Sequence, residues 1–235
     1  MIEINHFSKK YGKREAVTDF SLLCNEGEIT AILGANGAGK TTILKAVCAR
    51  HFATAGSVRV CGVDAQEQPS SVRVLTGFVE ENANLPEELF VREFLAFRAE
   101  LFSRKSEDIE RVKKSCMLDE IWNEKIHILS KGQKERVNFA QALIHDPRVL
   151  VLDEPMSGLD PAQIVRMRKL ILSLKKGRTI LLSTHLMQEV DALSDKICVL
   201  SRGKSVAFGT AKQIVEKAQS KTIEEAFFSL TSEGL

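Results

Sequence analysis

Long apolar runs are missing from this sequence. A membrane-spanning helix needs about 18 or more apolar residues in succession, whereas runs such as residues 149–152 and 180–182 are strand-sized. The start, Met1 to His6, has neither the basic region nor the apolar core of a signal peptide. A soluble, cytoplasmic chain is therefore expected. Cysteine is sparse: Cys24, Cys48, Cys61, Cys116 and Cys198 are odd in number, far apart and without a C-x-x-C pair. That spacing argues against a disulfide framework or zinc ribbon and favours a reducing compartment. Neither sign of charge dominates, since 33 Lys and Arg face 31 Asp and Glu, so there is no electrostatic case for bulk nucleic-acid binding. Internal repeats, coiled-coil heptads and low-complexity linkers are also absent. What remains is an ordinary globular composition, 44% hydrophobic and 27% charged over 235 residues, ample for a sizeable core in one large domain or two small ones.

Extended or β-branched segments recur at residues 2–7, 16–23, 28–33, 57–61, 149–152, 179–183, 196–200 and 205–208. Helical patterns lie between several of them, which makes the fold class α/β. The clearest helix follows Asp160, a fitting N-cap, with Pro161 at the tolerated first position. Ile164, Met167, Ile171 and Leu174 share one face of it, and Lys175, Lys176 and Gly177 supply a C-terminal charge and stop. Residues 201–204 read as a hairpin turn. Between about residues 81 and 145 strand character gives way to helices, expected at 91–102, 106–117 and 134–144. This stretch reads as a helical subdomain inserted into the α/β body.

Gly34-Ala35-Asn36-Gly37-Ala38-Gly39-Lys40-Thr41-Thr42 matches G-x4-G-K-[ST], between an expected strand and an expected helix at 41–50. Its glycines let the backbone curl several N–H groups around one anion, with a helix N-terminus behind them. Lys40 would reach the terminal phosphates, the Thr41 hydroxyl would ligate Mg²⁺ and Thr42 would bond a phosphate oxygen. The alternative, a glycine-rich turn that merely precedes a helix, does not account for the whole pattern in this context.

The strand at 149–152 ends in Asp153 and Glu154. In a parallel sheet ligands sit at the C-terminal ends of strands, so Asp153 can hold Mg²⁺ through water and Glu154 can polarise an attacking water. Taken alone, the pair would read as solvated turn residues. His185 follows another apolar strand and can face a γ-phosphate, although a lone His there is usually a satisfied polar residue. Tyr11, expected on a loop with Gly12 and Lys13, offers a ring for stacking on adenine; packing at the sheet edge is the alternative. Ser130 is a plausible N-cap for a second anion-friendly helix start, with Lys131, the small Gly132 and Gln133 beside it. Two such starts for one nucleotide suggest that two copies share each phosphate.

These residues together resemble the nucleotide-binding subunit of an ABC transporter, over nearly the whole chain. Tyr11 matches the family's adenine-stacking aromatic and residues 34–42 its Walker A loop. Leu129-Ser130-Lys131-Gly132-Gln133 resembles the signature motif, residues 149–153 resemble Walker B, and Glu154 stands at the catalytic base. Ser157-Gly158-Leu159-Asp160 matches the D-loop and His185 the switch histidine. Val17 joins the expected nucleotide contacts. Two departures stand out. Lys131 replaces the usual glycine of the signature, and aligning residues 77–81 puts Glu81 where glutamine is usual and where the metal is touched, with Glu80 as the rival. Glutamate there, followed by residues 89–95, resembles the subgroup serving two-component exporters.

The resemblance implies one ATPase domain over 1–235, a P-loop NTPase with a RecA-like core, an N-terminal antiparallel β subdomain and a helical subdomain at 81–145. It implies ATP and Mg²⁺ as cofactors and a homodimer closing head to tail around two ATP, with residues 130–133 touching the other copy's nucleotide. Hydrolysis would power transport, in the direction of export, through a separate membrane permease, with the chain cytoplasmic and peripheral on the inner face of the cell membrane and no nucleic acid involved. Phe78, Phe90, Phe94 and Phe97 are candidates for lining the groove that receives a permease helix, at least half of them being better explained as core. The tail, 211–235, is expected to form short helices with Ile223, Ala226, Phe227 and Leu230 on one face. The main alternative is an ABC ATPase outside transport, in DNA repair or translation, but the insertions or second cassette typical of those are missing. A P-loop kinase and a non-hydrolysing binding module fit less well, given the signature, D-loop and Glu154.

Overall fold

The structure, a computed structural model, describes residues 1–232. Two sheets organise it. The first is antiparallel and built from β1 (Ile2–Tyr11), β2 (Arg14–Cys24), β4 (Ala55–Val60) and β5 (Val63–Asp64), in the order β2-β1-β4-β5. Alternating burial along β2, with Val17, Phe20, Leu22 and Cys24 inside, is what a sheet with one solvated face requires. The second sheet comprises β3 (Ile29–Leu33), β6 (Thr76–Val79), β7 (Val149–Asp153), β8 (Thr179–Thr184), β9 (Lys196–Ser201) and β10 (Lys204–Gly209), in the order β10-β9-β3-β8-β7-β6. Its β9-β3-β8-β7-β6 portion is parallel, while β10 returns antiparallel to β9. Every residue of β3, β6, β7 and β8 is buried, as expected of a parallel sheet covered on both faces.

Helices α1 (Lys40–Val47), α2 (Pro69–Leu75), α3 (Val91–Leu101), α4 (Ser106–Ser115), α5 (Lys131–Leu143), α6 (Pro161–Leu174), α7 (Met187–Leu193), α8 (Ala211–Lys217) and α9 (Ile223–Ser232) complete the fold. Helices α3, α4 and α5 fall between β6 and β7, where the sequence predicts them. Ile2, Phe7, Phe20, Ile43 and Val151 belong to one apolar core; Leu95, Phe139, Leu152, Ile171 and Leu182 belong to a second.

Several boundaries differ from expectation. Helix α5 begins three residues before the expected 134, because Ser130 caps it: Gln133 N donates to Ser130 Oγ while Ser130 N donates to Gln133 Oε1. Strand β6 and helices α2 and α7 are additional. β6 is four residues buried throughout, so it has no alternation to betray it. Tyr11 is the last residue of β1, paired with Arg14, rather than a loop residue. The turn at 201–204 forms as predicted, with Arg202 and Gly203 both at positive φ. Ile223, Ala226 and Phe227 of the tail are buried and Leu230 packs beside them; residues 233–235 of that expectation lie outside the described residues.

Candidate functional site

Strand register brings the site together. Leu33 at the end of β3 pairs with Thr184 at the end of β8, and Asp153 at the end of β7 pairs with Ser183. The glycine-rich loop, the two carboxylates and His185 therefore emerge from one edge of the sheet, although their sequence positions span 150 residues or so. Gly39 has φ +111°, and a Cβ there would lie 2.7 Å from the Ala16 carbonyl oxygen, so only glycine fits where the loop turns into α1.

Lys40 is buried, and its Nζ donates to the Gly34 and Ala35 carbonyl oxygens at 2.8 and 3.3 Å. The same ammonium lies 3.1 Å from Glu154 Oε1. Glu154 has positive φ, which turns the chain sharply after β7, and its other oxygen, Oε2, is 2.9 Å from His185 Nδ1. Asp153 Oδ1 accepts from Ser183 Oγ at 2.6 Å, and Ser183 Oγ in turn accepts from Glu154 N at 3.1 Å. Behind His185, Thr184 Oγ1 donates to the buried Glu189 at 2.7 Å, and burial raises the Glu189 carboxyl above the usual range. Sequence reading missed Ser183 and Glu189; the apolar strand and the helix carrying them show no motif.

A cleft of about 450 Å³ opens over this floor, lined by Asn36, Gly37, Gly39, Lys40, Thr41 and Thr42 from the loop and by Glu154 below. Tyr11, Arg14 and Ala16 form one wall and Glu81 another. Gly34, Ala35 and Ala38 shape the loop without lining the cleft. Val17 is also not a lining residue: it is buried beneath Gly39, and Ala16 and Arg14 stand at the wall instead. Glu80 points elsewhere, pairing with Arg50, so Glu81 is the acid at the cleft. Tyr11 is held from behind, its hydroxyl 2.6 Å from His51 Nδ1 and Lys9 Nζ 5.3 Å over its ring.

Ser130, Lys131, Gly132 and Gln133 do not line this cleft. Ser130 and Lys131 are exposed at the start of α5, Gly132 is buried against Gln163, and the Lys131 ammonium lies against Gly158. Of the neighbouring turn, Leu159 packs on the core, Ser157 N donates to the Glu154 carbonyl oxygen and Asp160 caps α6 through Gln163 N at 2.9 Å.

The residues fit a nucleotide triphosphate with a hard cation. A buried ammonium and the N-terminus of α1 face an open cleft, and Thr41 and Glu81 line it with oxygen donors of the kind Mg²⁺ takes, whereas Asp153, the third expected donor, is buried on Ser183 Oγ and does not line it.

Comparison with known proteins agrees with this chemistry. The ABC transporter family profile matches residues 17–157. Two relatives named Nod factor export ATP-binding protein I, from Rhizobium etli and Burkholderia lata, are 36% and 34% identical over 92% of this chain and over 70% and 72% of their own lengths. A solved structure described as an ATP-binding subunit of an ABC transporter superposes with TM-score 0.90 at 26% identity, covering 98% of this chain and 99% of its own. The cbiO1 subunit from Clostridium perfringens, described as part of the cbiONQ transporter complex, gives 0.82 at 25% over 92% and 90%. The chain belongs to the ABC transporter family, as an ATP-binding subunit and ATPase whose hydrolysis is coupled to transport.

Proposed function

We propose that this chain is the motor subunit of an exporter. Two copies close head to tail around two ATP–Mg²⁺, and hydrolysis reopens them to drive a separate membrane permease from the inner, cytoplasmic face of the cell membrane. The observation that carries the reading is the position of Glu154, between Lys40 and His185 at the floor of the cleft. Binding starts with the loop N–H groups and Lys40 taking the phosphates, so Lys40 leaves Glu154. Glu154 Oε1, without a hydrogen bond among the described residues, is then free to accept a proton from water. His185 holds the opposite carboxylate oxygen and orients the base. Bound Mg²⁺, held by Thr41 and Glu81 and by Asp153 through water, would supply charge neutralisation at the phosphates.

Dimerisation is supported by the exposed Ser130 and Lys131 at a capped helix start away from the chain's own cleft. A second copy's phosphates are the anions such a start suits, with Gly132, Gln133 and Ser157 to Asp160 completing the contact. Export is supported by the names of the relatives, and the partition into one domain over 1–235 with a helical subdomain at 81–145 follows the run of α3, α4 and α5. The test is size-exclusion chromatography of Glu154→Gln with ATP and Mg²⁺, beside phosphate release from the wild type. A dimer that forms only with ATP is expected. A variant that binds ATP yet stays monomeric would defeat the head-to-tail reading.

A further inference from the structure

His185 meets Glu154 from a short turn between β8 and α7, and its own side chain does little to hold it there. The ring is 41% exposed, and Glu154 Oε2, 2.9 Å from Nδ1, is its one polar partner among the described residues. A carboxylate that also faces the Lys40 ammonium can only accept, so Nδ1–H is the donor. Three bonds close the turn behind the ring. Thr184 Oγ1 donates to Glu189 Oε2 at 2.7 Å, Leu186 N donates to Thr184 Oγ1 at 3.0 Å, and Glu189 N donates to the Leu186 carbonyl oxygen at 3.1 Å. The Thr184 hydroxyl therefore accepts from the residue just after His185 and commits its single proton to Glu189. Thr184 is 0% and Glu189 2% exposed, so water competes for neither.

Helix α7 has no need of such an acid for its own packing. Val190 and Leu193, both buried, seat it in the core that also holds Leu182. A buried carboxylate is costly, and burial, with Glu154 nearby pushing the same way, raises the Glu189 carboxyl above the usual range. Its hydrogen bond reaches back over the turn to the strand instead. Successive residues of β8 point opposite ways: Ser183 serves Asp153 and the Glu154 backbone on one side, while Thr184 serves α7 on the other. We propose that Glu189 is a positioning residue for hydrolysis: by holding the Thr184 hydroxyl it fixes the backbone on both sides of His185 and so keeps Nδ1–H on Glu154. The inference rests on the roles of Glu154 and His185 given above.

This role separates from nucleotide binding. The cleft is lined by Tyr11, the loop and Glu81, and no residue from Thr184 to Glu189 is among its walls. Loss of the Glu189 bond should therefore act on the hydrolytic step and spare affinity for ATP. Glutamine at 189 keeps an oxygen that can accept from Thr184, whereas leucine of similar bulk keeps the packing and has no acceptor. A residue that merely tethered α7 would change stability and leave the His185 ring where it is.

The experiment uses the purified full chain, with ATPase kinetics beside nitrogen-15 NMR of the histidine rings in the absence of nucleotide. The His185 signals are assigned by their loss in His185→Ala. Glu189→Leu is expected to lower kcat by about tenfold or more, as small displacements of a positioned group do, with KM for ATP within about twofold of the wild type. Glu189→Gln should stay within about threefold in kcat, because the bond to Thr184 is kept. In a His185→Ala background Glu189→Leu should add nothing to the loss, since both changes remove one unit. The His185 Nδ1 resonance should keep its hydrogen-bonded shift in Glu189→Gln and lose it in Glu189→Leu. An unmoved Nδ1 resonance in Glu189→Leu, or a full further loss of kcat on top of His185→Ala, overturns the proposal. If Glu189→Leu fails to fold, Thr184→Val removes the same bond and is judged by the same resonance and the same double variant. Wild-type kcat in His185→Ala would instead sink the reading of His185 above, and this inference with it.

Discussion

Lys40 Nζ and Glu154 Oε1 stand 3.1 Å apart with side chains only 6% and 7% exposed. Each is the other's charge partner, so with Lys40 as the proposed phosphate ligand, nucleotide entry would be an exchange of partners rather than the filling of a neutral hole. Glu154→Gln should therefore bind ATP at least as well as the wild type while hydrolysis falls by about 100-fold or more, the usual worth of a positioned base. Calorimetric titration beside phosphate release checks both halves. Lys40→Ala should lose nucleotide binding itself.

The proposed stacking of the base on Tyr11 makes a separable prediction. Stacking on an aromatic ring is worth about 1–3 kcal/mol per base, so Tyr11→Ala should raise KM for ATP and leave kcat unchanged. His51 grips the Tyr11 hydroxyl at 2.6 Å, and burial, with Lys45 and Lys9 nearby, keeps its imidazole harder to protonate than usual. His51→Ala should raise KM less than Tyr11→Ala does, and add nothing in a Tyr11→Ala background. An additive effect would show that His51 acts elsewhere.

Lys131 lies against Gly158 in its own chain and away from its own cleft. Lys131→Glu should accordingly leave ATP affinity of the monomer unchanged and weaken the ATP-dependent dimer of Glu154→Gln. Unaltered dimerisation in sedimentation would mean that the ammonium serves only the turn it covers.

The half-buried Glu135 and the buried His145 each contribute to the pH dependence of stability. Burial raises Glu135 from 4.5 to about 8, so between those values the folded chain holds a proton that the unfolded chain releases. Stability from this site is present below pH 4.5 and is lost as pH rises through 8. His145 is lowered from 6.5 to about 4, chiefly by burial; there the unfolded chain takes the extra proton, and stability is lost as pH falls from 6.5 to 4. Denaturant midpoints across pH 4 to 9 should show Glu135→Gln gaining on the wild type at pH 8 and above, and not at pH 5. Parallel curves would refute the assignment.

How much of this was legible beforehand follows the distance over which each feature is decided. The caps at Ser130 and Asp160 and the loop at 34–42 depend on residues three to eight apart, and all form as read. Strand β6 was not legible, because four wholly buried residues carry no period. Val17, expected among the nucleotide contacts, is buried against Gly39, while its neighbour Ala16 lines the cleft, because successive residues of a strand face opposite ways. Glu80 and Glu81 are neighbours with opposite fates, decided by Arg50 and Asn138, 30 and 58 residues away from Glu80.

Alone, the sequence determined the chemistry available: a phosphate-binding loop, a Walker-type acid pair, a histidine after a strand, and the family those motifs resemble. Such motifs are local because backbone curvature, capping and charge at a helix start act within a turn or two. Only the tertiary structure decided who faces whom. The register of β3, β7 and β8 sets Lys40, Glu154 and His185 in contact. Those encounters arise from packing between distant segments, where side-chain direction is settled by the neighbours that burial imposes.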